Sequence, residues 1–152
     1  MSFKLSQRSL DKMNGVDERL VAVAKLAIQR TSVDFGVICG LRTIEEQREL
    51  VAKGASKTMA SKHLDGNAID LMAYIGSRGS WELKLYDKIG DAMIDAAKEV
   101  GVGLRWGAAW HCPDVRAWEG TCEGLMNAYV DLRLSQQGKR AFIDAPHWEI
   151  SE

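Results

Sequence analysis

An α+β domain, built as a small and mainly antiparallel sheet flanked by helices, is what the sequence predicts. Three observations lead there. Segments with a helical hydrophobic period and short runs with a period of two follow one another without the strict strand-helix-strand alternation of a parallel sheet. The chain has 152 residues, enough for one core, and no repeat, low-complexity tract or Pro/Ser-rich linker divides it, so residues 1–152 read as a single domain. With 46% hydrophobic and 27% charged residues it resembles neither a disordered nor a fibrous chain, and it should fold.

The elements follow in order. Leu20, Val23, Ala24, Ala27 and Ile28 make one stripe of an amphipathic helix expected over about 16–30. Phe35, Val37 and Cys39 alternate in a short apolar run closed by Gly40, which suits a buried strand. Thr43 and Glu46 form a capping box for a helix over about 44–53, stopped by Gly54. Asp65-Gly66 marks a turn into a strand from Asn67 to Ala73, with Ile69 and Leu71 on one face and Asp70 beside Ala68 and Met72 on the other. Ser80 is expected to cap a long helix whose stripe is Tyr86, Ile89, Met93, Ala96, Ala97 and Val100, with Gly101 just past its end. A short strand over Gly103 to Trp106, a loop from Trp110 to Thr121, a helix over 124–136 and a last strand from Pro146 to Ile150 complete the chain.

Composition also excludes partners. Lys and Arg total 20 against 21 Asp and Glu, so no net charge draws the chain onto nucleic acid or an anionic bilayer. Charges interrupt every hydrophobic segment, so no membrane span is expected. The N-terminal residues lack the apolar run of a signal peptide, which points to a protein made in the cytoplasm. Cys39, Cys112 and Cys122 are odd in number and lack C-x-x-C spacing, against a disulfide framework or a zinc ribbon.

The residues that could carry chemistry are few. Of only three histidines, His63 precedes the Asp65-Gly66 turn with Asp70 on the strand after it, and His147 stands three residues beyond Asp144. The turn could bring His63 and Asp70 together, and a buried carboxylate costs several kcal/mol, by rough estimate, unless paired or metal-bound. Two imidazoles and one carboxylate are a standard catalytic zinc set that leaves a fourth position for water. On spacing alone, ordinary surface or core histidines and a strand-end aspartate are the favoured reading. Glu149, on the same strand face as His147, competes with Asp144 for any proton-carrying role. His111 with Cys112 and Cys122 reads as an unremarkable loop grouping, and Asp114, Glu119 and Glu123 do not form an EF-hand pattern. Trp106, Trp110 and Trp148 read as core or cleft walls.

The run Ser61-Lys-His63-Leu-Asp-Gly66-Asn-Ala68-Ile-Asp70 resembles the S-x-H-x-x-G-x-A-x-D motif of the zinc D-alanyl-D-alanine carboxypeptidase family, which has the hedgehog/DD-peptidase fold. Every specified position matches. Asp144-Ala-Pro-His147 resembles that family's second signature, an acidic residue followed by the last zinc-binding histidine. An Asp where many members have Glu, the small size and the opening Gly40-Leu-Arg42-Thr43 make the chain most similar to phage L-alanyl-D-glutamate peptidases. The likeness covers roughly residues 1–110 and 140–150 and thins between them.

That resemblance implies one Zn2+ per chain held by His63, Asp70 and His147, with Asp144 as general base. Arg42 would contact substrate or transition state, and Ser61 would touch substrate unless it is only a cap. It further implies a monomeric endolysin that cleaves the peptide stems of bacterial peptidoglycan. Such an enzyme would gather in the host cytoplasm and reach the cell wall after the membrane is permeabilised. The alternatives are a D,D-carboxypeptidase or dipeptidase of the same fold, and a wall-binding module without catalysis.

Overall fold

The computed structural model describes residues 2–56 and 58–151. Its first element was not expected. Ser6 caps a short helix α1 (Gln7–Lys12) by accepting the Ser9 N–H, and the buried Ser9 hydroxyl in turn accepts the Val37 N–H at 3.0 Å. The alternating N-terminal sequence hides this helix because a docking serine takes the place of an apolar stripe.

Helix α2 (Glu18–Arg30) starts at Asp17, whose carboxylate accepts the Arg19 N–H, and buries the whole predicted stripe. Strand β1 (Asp34–Cys39) leads to α3 (Ile44–Ala52), where both bonds of the Thr43/Glu46 capping box are present. A 3-10 turn, Lys62–Asp65, then ends on Gly66 at φ +73°, a conformation that favours glycine. The chain passes directly into β2 (Ala68–Ile75) and returns as a three-residue strand β3 (Arg78–Ser80). Ser80 therefore does not cap the long helix. That helix, α4 (Leu83–Val100), has Glu82 at its N-cap without a side-chain bond, while Gly101 ends it as expected in the left-handed conformation. After β4 (Leu104–Trp106), α5 (Cys122–Gln137) begins two residues earlier than expected because the Thr121 hydroxyl accepts the Gly124 N–H. Strand β5 (His147–Ile150) closes the sheet.

The sheet is antiparallel, in the order β1-β2-β5-β4, with β3 pairing the far part of β2. Helix α2 packs on α4, and α4 on α5. Ile69 and Leu71 of β2 join the stripes of α2 and α4 in the core, as the alternation required, except that Val100 in the last turn of α4 is exposed. Trp106 and Trp148 are register partners whose rings stack 5.5 Å apart, so they are core residues and not cleft walls. Among the described residues no helix is long and apolar enough to cross a membrane.

Candidate metal centre

Strand register builds the site. Asp70 sits opposite Cys39 of β1 on one side and opposite His147 of β5 on the other, so three strands put these side chains in one row. A β-bulge between Val37 and Cys39 brings Cys39 into that row. His63 arrives from the 3-10 turn just before β2, its N–H capped by the Ser61 hydroxyl. Asp144 arrives from the loop before β5, where backbone bonds to Gly107 hold it: Asp144 N–H donates to Gly107 O, and Gly107 N–H donates to His147 O, each at 2.8 Å. A Cβ on Gly107 would lie 2.1 Å from Asp144 O, so only glycine permits this approach.

The hydrogen bonds fix which imidazole nitrogens are free. His63 Nδ1 lies 2.8 Å from Gly40 O, a pure acceptor, so Nδ1 carries the proton and Nε2 a lone pair. His147 Nε2 lies 2.8 Å from Glu149 Oε1, so Nε2 donates and Nδ1 is left with a lone pair. Both free nitrogens face one carboxylate oxygen, with His63 Nε2 3.3 Å and His147 Nδ1 3.2 Å from Asp70 Oδ1. Tetrahedral ligands at about 2.0–2.1 Å from a zinc ion stand roughly 3.3 Å from one another. The buried His63 Nε2 also has no hydrogen-bond partner among the described residues, an unmet need that a cation would satisfy. These residues therefore fit a metal ion.

The charges agree. Burial opposes ionisation of Asp70, yet the adjacent His147 and His63 imidazoles hold its carboxyl well below the usual range. Burial likewise opposes the charged imidazoles, but Asp70 and its neighbours raise His63 to about 10 and His147 to about 9. The pocket thus attracts positive charge. Asp144 behaves oppositely: burial, and then repulsion from Asp70, raise its carboxyl above the ordinary value. Asp70, Asp144 and His147 offer ligand atoms within 4.8 Å of one another, as do Cys39, His63 and Asp70. Cys39 faces the wrong side of its ring, however, with Sγ 3.8 Å from His63 Nδ1, the nitrogen already given to Gly40.

Arg42 follows β1 and points its guanidinium at the centre, with Nη2 3.7 Å from Asp70 Oδ2 and 3.2 Å from Cys39 Sγ. The buried Gln47 of α3 accepts from Arg42 Nη1 at 2.7 Å and donates to Ser56 and Thr58, locking the guanidinium from behind. A cavity of about 560 Å³ opens over the centre, with Arg42, Ser61, Lys62, Trp110 and Phe142 among its walls. Trp110 is thus a cleft wall, tilted 5.5 Å from the His147 ring. His111 lies apart, stacked on Tyr129, and Cys122 is buried.

Sequence reading missed Gln47, a helix residue with no motif around it, and it left Glu149 as a rival base. The two-residue spacing of His147 and Glu149 on one strand was the available signal for their contact.

Comparison with known proteins identifies the family. The sequence model of the phage L-alanyl-D-glutamate peptidase family matches residues 1–151. The L-alanyl-D-glutamate peptidase of Escherichia phage T5 is 34% identical over 115 residues, covering 73% of this chain and 84% of that protein. That of Listeria phage A118 is 31% identical over 106 residues, 68% of this chain but 37% of a longer protein. A crystal structure of a Serratia marcescens L-Ala D-Glu endopeptidase superposes with a TM-score of 0.71 at 30% identity, covering 98% of this chain and 90% of the other. With its whole described length matched in sequence and in fold, the chain belongs to the phage L-alanyl-D-glutamate peptidase family.

Proposed function

We propose that the protein is a zinc-dependent endopeptidase that hydrolyses the bond between L-alanine and D-glutamate in peptidoglycan stem peptides, serving as a phage endolysin. The observation that carries this reading is the convergence of two imidazole lone pairs on one oxygen of Asp70, with Asp144 beside them. His63, Asp70 and His147 hold the metal. Zinc bound there supplies an acidified water nucleophile and a Lewis acid for the scissile carbonyl.

The chain's own residues do the rest. Asp144, its carboxyl raised above the ordinary value by burial and then by repulsion from Asp70, takes the proton of the attacking water and passes it to the departing amine. Glu149 holds the His147 tautomer and has its oxygen committed to that ring, so it orients a ligand and leaves the proton transfer to Asp144. Arg42, locked by Gln47, donates to the carbonyl oxygen as negative charge develops on it, a contribution of about 3 kcal/mol where comparable donors have been removed. Ser61 caps the turn that presents His63 and also lines the cleft, where its hydroxyl can meet substrate.

Elemental analysis of purified protein, coupled to mass spectrometry of digested peptidoglycan, tests this. One zinc per chain, with new N-terminal glutamate on the released peptides, is the expected result. Release of terminal D-alanine instead would identify a carboxypeptidase, and full activity without metal would remove the mechanism.

A further inference from the structure

Two cavities meet at the Asp70 and Asp144 carboxylates, and their chemistry differs. The larger carries the cationic side chains Arg42 and Lys62 on its walls beside Asp70, Asp144 and Glu149. The smaller, about 340 Å³, runs between Ile38, Tyr86, Ile143 and Pro146 to a rim of Trp81 and Leu83, and among the described residues no Lys or Arg lines it. Both rim residues are open to solvent, Trp81 at 59% and Leu83 at 44% exposure.

An exposed indole is usually free to turn, but this one is braced. Trp81 lies parallel to the Tyr86 ring, centroids 6.0 Å apart and planes 7° apart. Tyr86 is itself buried, its hydroxyl donating to Ser80 O at 2.9 Å and accepting the Ala73 N–H at 3.1 Å. The platform therefore loses little further freedom when a ligand covers it, and this preorganisation favours binding. An apolar face at the mouth of a cavity with carboxylates at its inner end suits a ligand with one apolar and one hydrogen-bonding side. A pyranose ring is such a ligand, with C–H bonds on its face and hydroxyls at its edge.

We propose that Trp81 is a stacking platform for the amino sugar that bears the stem peptide, so that the alanyl side of the scissile bond occupies the smaller cavity. The proposal rests on the peptidase reading above. Its direction follows from charge. A glutamyl residue keeps a free carboxylate whichever of its carboxyls continues the chain, and that group belongs in the cavity with Arg42 and Lys62. Alanine and the sugar amide-linked to its nitrogen are neutral, which matches walls without Lys or Arg.

Steady-state kinetics on two substrates with the same scissile bond tests this: an N-acetylmuramyl stem peptide, and the same peptide with only an acetyl group on its alanine. The intact enzyme should show a KM about five- to tenfold lower for the muramyl substrate, the scale of one aromatic stacking contact. Trp81→Ala should bring the two KM values to within roughly twofold of each other, and Trp81→Phe should restore part of the gap. Thermal melts of both variants check that the fold persists. Equal KM values for the intact enzyme would overturn the subsite and leave the peptidase reading standing. A preference that survives Trp81→Ala would overturn the role of Trp81. Cleavage of neither substrate would overturn the peptidase reading and the subsite together.

Discussion

Asp144 and Glu149 flank His147 in sequence, and their surroundings give them separate work. Asp144 has a raised carboxyl and no imidazole bond, whereas Glu149 is spent on His147 Nε2. Asp144→Asn should keep bound zinc, measured by elemental analysis, while kcat falls by about 10² or more, because an amide cannot accept the water's proton. Glu149→Gln should do the reverse. It weakens zinc affinity by about 10–100-fold but leaves kcat near normal at saturating metal, since a ligand's supporting partner is altered and not the base. If Asp144→Asn turns over normally and Glu149→Gln is dead with zinc still bound, the two roles are exchanged. The grouping of His63, Asp70, Asp144 and His147 was legible in the sequence because local motifs carry these residues. The tautomer logic could not, since Gly40 and Glu149 become partners of the imidazoles only when three strands meet.

Helix α3 shows how an element serves a metal centre to which it offers none of the proposed ligands. Its capping box was legible because it is a four-residue pattern, yet its functional contribution is Gln47, buried behind Arg42. Gln47→Leu should lower kcat by about tenfold or more with zinc content unchanged, because a guanidinium free to swing is a poorly organised donor. An unchanged kcat would show that Arg42 needs no brace. Helix α4 makes a different prediction. Asp87 is buried with one carboxylate oxygen unpartnered, and burial with Glu123 and Asp91 nearby raises it to about 6. A folded value above the unfolded 3.8 means the fold prefers the proton. Its contribution is full below about pH 4 and is lost as pH rises through about 6. The gain in Tm from Asp87→Asn should therefore widen between pH 4 and pH 8, and a gap independent of pH would contradict the assignment. The stripe of α4 announced its packing, whereas Ser80 gave a false start. A strand as short as β3 has no periodicity to read, and it took that serine.

For the whole molecule, a metal at this centre would couple to the fold. The proposed ligands, drawn from the turn before β2, from β2 and from β5, come together only in the closed sheet, so zinc held there would bind the folded state and stabilise it. Chelation should abolish activity and lower Tm by about 5–10 °C, the scale expected for a chain of this length losing a ligand present at a hundredfold above its Kd. A melt indifferent to chelator would argue that no metal occupies the centre. Sequence reading reached the α+β class and most strands through alternation, but strand order depends on contacts far apart in the chain. That order has a consequence in time. Strand β5 takes a place between β2 and β4, so the last segment of the fold to be synthesised enters the middle of the sheet and brings His147 with it. A chain shortened before β5 would lack His147, one of the proposed ligands, and should therefore be inert. Lytic activity would then report that this strand has been made and has taken its place in the sheet.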